Sequence, residues 1–139
     1  MSTDVTGSGM TTDELRDFYR RYVELANARQ FDRMADFAHD EVIMNGNRVA
    51  MADMVAEFHR HVEAVPDFHW EIEDLLVDGD RIAARLTDTG TPVKEWNGLV
   101  PTGASVTFAE TAFYEVQDGK LKVMWYLMDA DSVRRQLAA

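Results

Sequence analysis

The chain has 139 residues, enough for one domain with a real core and too few for two of typical size. Asp and Glu number 25 against 14 Lys and Arg, a net charge of -11 with no basic cluster, which argues against nucleic acid and anionic membrane surfaces as partners. The absence of cysteine excludes disulfides, thiolate metal ligands and cysteine nucleophiles, and it fits a cytoplasmic chain.

The opening MSTDVTGSGM has neither the basic start nor the apolar run of a signal peptide, so residues 1–10 read as a disordered tail before one domain over 11–139. Thr11 to Arg29 begins with a capping box, Thr11 with Glu14, and then places Leu15, Phe18, Tyr22 and Leu25 at helical spacing. Phe31 to Phe37 predicts a short second helix, and EVIMNG a short strand ending in a turn. A third helix is expected over about Ala50 to Ala64, with Met51, Met54, Val55, Phe58 and Val62 on one side, and Pro66 stops it.

After Pro66 the period becomes strand-like. HWEIEDLLV and RIAARLTDTG flank Asp78-Gly79-Asp80; a three-residue loop puts Trp70, Ile72 and Leu76 on the face of Ile82, Ala84 and Leu86, and is preferred for that reason. TPVKEWNGLVPTG is a connection punctuated by Pro and Gly, after which SVTFAETAFYEV pairs with KLKVMWYLMDA through Asp118-Gly119. The expected fold class is α+β, a cone-shaped curved antiparallel sheet with three N-terminal helices enclosing a pocket.

The last hairpin carries the chemistry in this reading. Pairing Gln117 with Lys120 and continuing without interruption puts Tyr114 opposite Val123, Ala112 opposite Trp125, Glu110 opposite Leu127 and Phe108 opposite Asp129, all on one face. Glu110 and Asp129 then become diagonal neighbours among apolar groups, where lost hydration raises a carboxyl pKa and suits it to acid–base work. Alternatively, Asp129 lies just past the strand, caps the turn towards Ser132 and is solvated. Asp131 is read as a capping residue. The opposite face, with Met124, Tyr126 and Met128, is apolar enough to suggest a homodimer interface.

Other candidates are weaker. His59 and His61 stand two apart and point to different helix faces, so no metal site is expected; His61 lies on the Met54/Phe58 side, where a hydrogen-bonded core histidine is the ordinary reading. Ser105 and Ser132 lack a nucleophile elbow, and the glycines are too scattered for a phosphate loop.

Several motifs in order resemble the SnoaL-like polyketide cyclase family of the nuclear-transport-factor-2-like superfamily. They are Pro66-Asp67, Gly79-Asp80-Arg81, Thr89-Gly90-Thr91, Gly98-Leu99 with Pro101-Thr102-Gly103, Asp118-Gly119-Lys120, Trp125 four residues before Asp129, and Gln136-Leu137. The resemblance implies a cone with a deep pocket, dimers or tetramers, and cofactor-free chemistry on an apolar, carbonyl-bearing small molecule. It implies Asp129 as the acid/base of an intramolecular aldol ring closure. Glu110 is carried over as its catalytic partner and Asn45 as a pocket residue, with Trp125, Tyr114, His61 and Phe108 holding the substrate. Val123 and Met124 stand where the family often has acidic residues or histidine. The alternatives on this fold are epoxide opening, dehydration, or a ligand-binding role without chemistry, which an outward-pointing Asp129 would favour.

Overall fold

In a computed structural model, which describes residues 7–138, helix α1 (Thr12–Asn27) starts at the expected capping box: the Thr11 hydroxyl accepts from the Glu14 N–H at 3.2 Å, and Glu14 Oε1 accepts from the Thr11 N–H at 2.9 Å. Two donors that the first turn would otherwise leave unpaired are thereby satisfied. Its buried stripe includes Leu15, Phe18, Tyr19, Tyr22 and Val23. Phe31–Asp36 forms a 3-10 helix that buries Phe31 and Met34. Strands β1 (Ala38–Met44) and β2 (Asn47–Ala50) form a hairpin whose turn residues, Asn45 and Gly46, have φ values of 49° and 85°. That left-handed pair is what a two-residue hairpin turn requires. Helix α2 (Met51–Ala64) follows, then β3 (His69–Asp78), β4 (Arg81–Gly90), β5 (Val106–Gln117), β6 (Lys120–Met128) and a closing helix, α3 (Ala130–Ala138).

The strands make one six-stranded sheet in the order β2-β1-β6-β5-β4-β3, curved and unclosed. The α+β class is as expected, with two corrections. The sheet is mixed, because β1 pairs with β6 in parallel. The helices are not all N-terminal, since α3 packs Val133 and Leu137 into a cluster with Phe68, Trp96 and Phe108.

The described part of the expected disordered tail, residues 7–10, is ordered: the carbonyls of Gly7 and Ser8 accept from the N–H groups of Asp118 and Gly119 at 3.2 and 2.6 Å. Residues 1–6 lie outside the described residues. Among the described residues no helix is long and apolar enough to cross a membrane.

Two irregularities decide which side chains face inward. Asp78 pairs directly with Arg81, so the β3–β4 turn has two residues rather than three. A register shift between Ile72 and Asp74 then lets Trp70 and Ile72 share the inner face with Leu86, while nearer the turn Leu75 and Val77 share it with Ala84 and Ile82. Leu76, expected inside, is 68% exposed. In the last hairpin Gln117 does pair with Lys120 and Val116 with Leu121, but the register slips at Lys122, so that Glu115 meets Val123, Tyr114 meets Met124 and Glu110 meets Met128. One extra residue turns every later side chain of β6 over.

The end of β4 also approaches α2 closely. A Cβ on Gly90 would fall 2.4 Å from a Val65 methyl carbon, so only glycine fits there.

Candidate functional site

The helices and the concave side of the sheet enclose a cavity of about 130 Å3. Tyr19, Tyr22, Met54, Phe58, Trp70 and Leu86 form much of its apolar wall, and the exposed Glu57, Asn97 and Tyr126 mark its mouth. Among the described residues no Lys or Arg lines it.

Two buried carboxyls come from β4 and β5, and one of them, Glu110, lines the cavity. Asp88 pairs with Phe108, and Glu110 pairs with Leu86, so the two carboxyls are diagonal neighbours on the inner face. Both are buried, and neither Asp88 oxygen nor Glu110 Oε1 has a hydrogen-bond partner among the described residues. Burial, and then the adjoining Glu110 carboxyl, push Asp88 up to about 10. Glu110 is also raised, by burial first, while the neighbouring Asp88 carboxyl and Trp70 indole pull the other way. Two carboxyls so placed cannot both ionise cheaply; at neutral pH Asp88 keeps its proton and the pair carries at most one negative charge.

Trp70 stands opposite Asp88 on the edge strand. Its strand is fixed by Asn27, whose side chain donates to the Trp70 carbonyl and accepts from the Trp70 N–H, both at 2.9 Å. Arg29 adds hydrogen bonds to the carbonyls of Phe68 and Pro66 at 2.6 and 2.9 Å. Tyr19 and Tyr114 share a hydrogen bond at 3.3 Å, and burial raises the pKa of both, so these phenols remain neutral hydroxyls.

Of the residues singled out in the sequence, Glu110, Tyr114 and His61 line the cavity. Phe108 lies in the second apolar cluster, packed on Phe68 and Trp96. Asn45, Trp125 and Asp129 do not line it. Asn45 Oδ1 accepts from the Tyr126 N–H at 2.9 Å, in an outer groove shared with Trp125 and Leu127. Asp129 is exposed and accepts from the Ser132 N–H at 3.1 Å, capping α3; Asp131 lies in that helix's first turn and pairs with Arg134 at 2.5 Å. The face expected to carry Asp129, Trp125 and Glu110 together therefore does not exist, because the slip at Lys122 separates them. The same slip turns Met124, Tyr126 and Met128 into lining residues, so the interface expected on that side is corrected as well.

Sequence reasoning missed Asp88 and Trp96. Asp88 had a signal: it follows Ile82, Ala84 and Leu86 at strand period, which extends the buried face to a carboxylate. Trp96 lay in a connection without periodicity.

The family model for SnoaL-like polyketide cyclases matches residues 16–137. Among solved structures, a SnoaL-like polyketide cyclase from Agrobacterium tumefaciens is similar at a TM-score of 0.85 and 31% identity, over 92% of this chain and 99% of that one. TsrD from Streptomyces laurentii is similar at 0.85 and 22% identity, over 94% and 98%. IdmH from Streptomyces antibioticus shares the fold at 0.80 and 18% identity, over 89% and 98%. No curated protein matches the chain.

Proposed function

Since the chain belongs to the SnoaL-like polyketide cyclase family, we propose that it is a cyclase or isomerase working on an uncharged, carbonyl-bearing molecule by acid–base chemistry at Glu110. One observation carries this reading: the buried Glu110 carboxyl stands on the wall of a largely apolar cavity, with Asp88 buried beside it and oxygens of both left unpaired. Buried polar atoms without partners are costly in a folded chain, and their persistence in a cavity fits groups that meet a ligand.

The ionised Glu110 takes a proton from the carbon beside a carbonyl. The resulting enolate carbon attacks a second carbonyl of the same molecule, forming the C–C bond, and the developing alkoxide takes the proton back from Glu110. Asp88, neutral throughout, confines the charge of the pair to Glu110. The cavity holds the two ends together, which replaces an encounter by a preset geometry. The absence of cations in the lining favours an uncharged ligand over a phosphate or a free carboxylate.

The test needs no natural substrate. An aryl 1,3-diketone incubated with the protein in D2O should lose its α-proton signal by proton NMR faster than in buffer. Glu110→Gln should remove that acceleration; full exchange in this variant would sink the proposal. The outward position of Asp129 would favour a ligand-binding role without chemistry, were the buried Glu110 not on the cavity wall. A binding-only protein would bind the diketone without accelerating exchange.

Self-association is proposed through the outer face of β5 and β6. Phe113, Trp125 and Leu127 are 56%, 51% and 74% exposed there, and the same face carries ion pairs of both orders, Arg81–Glu115 and Arg85–Asp74, which a second copy related by a two-fold axis could match. Light scattering should give a dimer that Leu127→Asp dissociates.

A further inference from the structure

The connection between β4 and β5, residues 91–105, holds a feature that the acid–base reading leaves unused. Trp96 and Leu99 exchange backbone hydrogen bonds at 2.9 and 2.8 Å around Asn97 and Gly98, whose φ values are 49° and 78°. This tight turn splits its residues between two places. Trp96 is buried among Val65, Phe68, Val106 and Phe108, whereas Asn97 reaches the mouth of the cavity. From its buried position the Trp96 indole N–H donates to His61 Nδ1 at 3.0 Å.

An indole nitrogen is only a donor, so Nδ1 must present its lone pair. Burial, and then the charge of Arg29, lower His61 to about 4, so the ring is neutral at pH 7. A neutral ring with Nδ1 unprotonated carries its hydrogen on Nε2. That nitrogen is buried and has no partner among the described residues. The ring is further held by Phe68, Trp70 and Trp96, with centroids 4.1, 5.5 and 5.5 Å away. His61 stacks on the same Trp70 whose indole faces Glu110, so donor and Glu110 belong to one continuous wall.

We infer that Trp96 is a positioning residue that fixes His61 as an Nε2–H donor, so that the site binds a ligand carbonyl oxygen at His61 while the adjoining carbon faces Glu110. The inference rests on the acid–base reading for its chemistry, though not for the tautomer. The donor sits where negative charge grows as the enolate forms, and a fixed donor at that point needs no reorganisation during the reaction. A tryptophan buried only for packing would account for the apolar contacts and not for a histidine whose second nitrogen is left unpaired.

The experiment reads the tautomer directly. In the free protein labelled with 15N-histidine, with the His61 signals assigned by their loss in His61→Gln, the wild type should show an unprotonated Nδ1 and a protonated Nε2. Trp96→Phe keeps a buried ring but lacks the N–H, and the two tautomers should then mix. In the diketone exchange assay Trp96→Phe should lose much of the acceleration. His61→Leu should fall on the order of 10²-fold, and His61→Gln, whose amide N–H lies near the Nε2 position, should recover part of that loss. A wild-type tautomer with full exchange in Trp96→Phe, or equal rates in His61→Leu and His61→Gln, overturns the inference. If Glu110→Gln is inactive while Trp96→Phe matches the wild type, the acid–base reading stands and this inference falls. If Trp96→Phe mixes the tautomers while Glu110→Gln exchanges normally, the tautomer assignment stands and the acid–base reading falls.

Discussion

The two faces of the β5–β6 hairpin have nearly the same apolar character and opposite fates. On the inner face Glu110, Ala112 and Tyr114 meet Met128, Tyr126 and Met124, all but Ala112 lining the cavity. On the outer face Thr111 and Phe113 meet Leu127 and Trp125, large side chains left open to solvent. On β6 composition does not separate these faces. The extra residue at Lys122 does, and with it the inner carboxyl Glu110 is divided from the outer carboxyl Asp129. A bulge placed between turn and site thus sets which functional groups share a chamber.

The comparison breaks most visibly in turnover. Glu110→Gln on the inner face should lower catalysed exchange by about 10²–10⁴-fold, the usual contribution of a positioned acid/base, with affinity for the diketone little changed. If exchange is instead lost in Asp129→Asn and kept in Glu110→Gln, the roles of the two faces are reversed.

Stability should divide the faces next. Met124, 3% exposed and packed in the main core, should cost about 2–5 kcal/mol when replaced by Ala. Leu127→Ala should change monomer stability by less than about 0.5 kcal/mol, because its side chain is open to solvent. Urea unfolding of both variants, at protein concentrations where the dimer is dissociated, measures the difference.

A pH dependence sharpens the inner face alone. Asp88 holds its proton in the folded chain up to about 10 and loses it near 4 when unfolded, so between these values the folded state binds one proton more. Stability therefore falls as pH rises, by about 1.4 kcal/mol per pH unit from this group. His61 acts in the opposite sense, its lowered pKa adding stability as pH rises from about 4 to its unfolded value, and above pH 7 it is neutral in both states. The window from pH 7 to 9 thus isolates the carboxyls. Unfolding free energies measured there should fall less steeply in Asp88→Asn than in the wild type, and equal slopes would remove the assignment.

What could be read from the sequence divides along similar lines. Helix α1, its capping box and the Asp118-Gly119 turn are local, and local signals predicted them correctly. The site's two sides were not equally accessible. Tyr114 and Glu110 belong to β5, where Val106, Phe108, Ala112, Tyr114 and Val116 recur at strand period and mark one face in the sequence. Strand β6 is apolar on both sides, so a slip of one residue leaves its pattern intact and cannot be detected from periodicity. The parallel pairing of β1 is likewise a long-range choice that seven residues of short strand do not encode. His61 was placed on the correct side of its helix, but its role depends on Trp96, 35 positions away in a connection with no repeat to read.

Asp129 supplies the smallest and most discriminating effect. Its side chain satisfies the Ser132 N–H at the start of α3, a helix anchored below by Val133 and Leu137 and by Gln136, which exchanges hydrogen bonds with the Thr107 backbone at 2.8 and 2.7 Å. Asparagine can accept the same hydrogen bond, so Asp129→Asn should keep the cap, the stability and the diketone exchange. Alanine cannot, and Asp129→Ala should cost about 1 kcal/mol while leaving exchange unchanged, because the capped helix packs on the second cluster and not on the cavity wall. A carboxylate in the acid–base role would give the reverse order: Asp129→Asn would lose turnover with stability intact. Exchange rates and urea midpoints of these two variants, compared side by side, decide whether that carboxylate holds a helix or moves a proton.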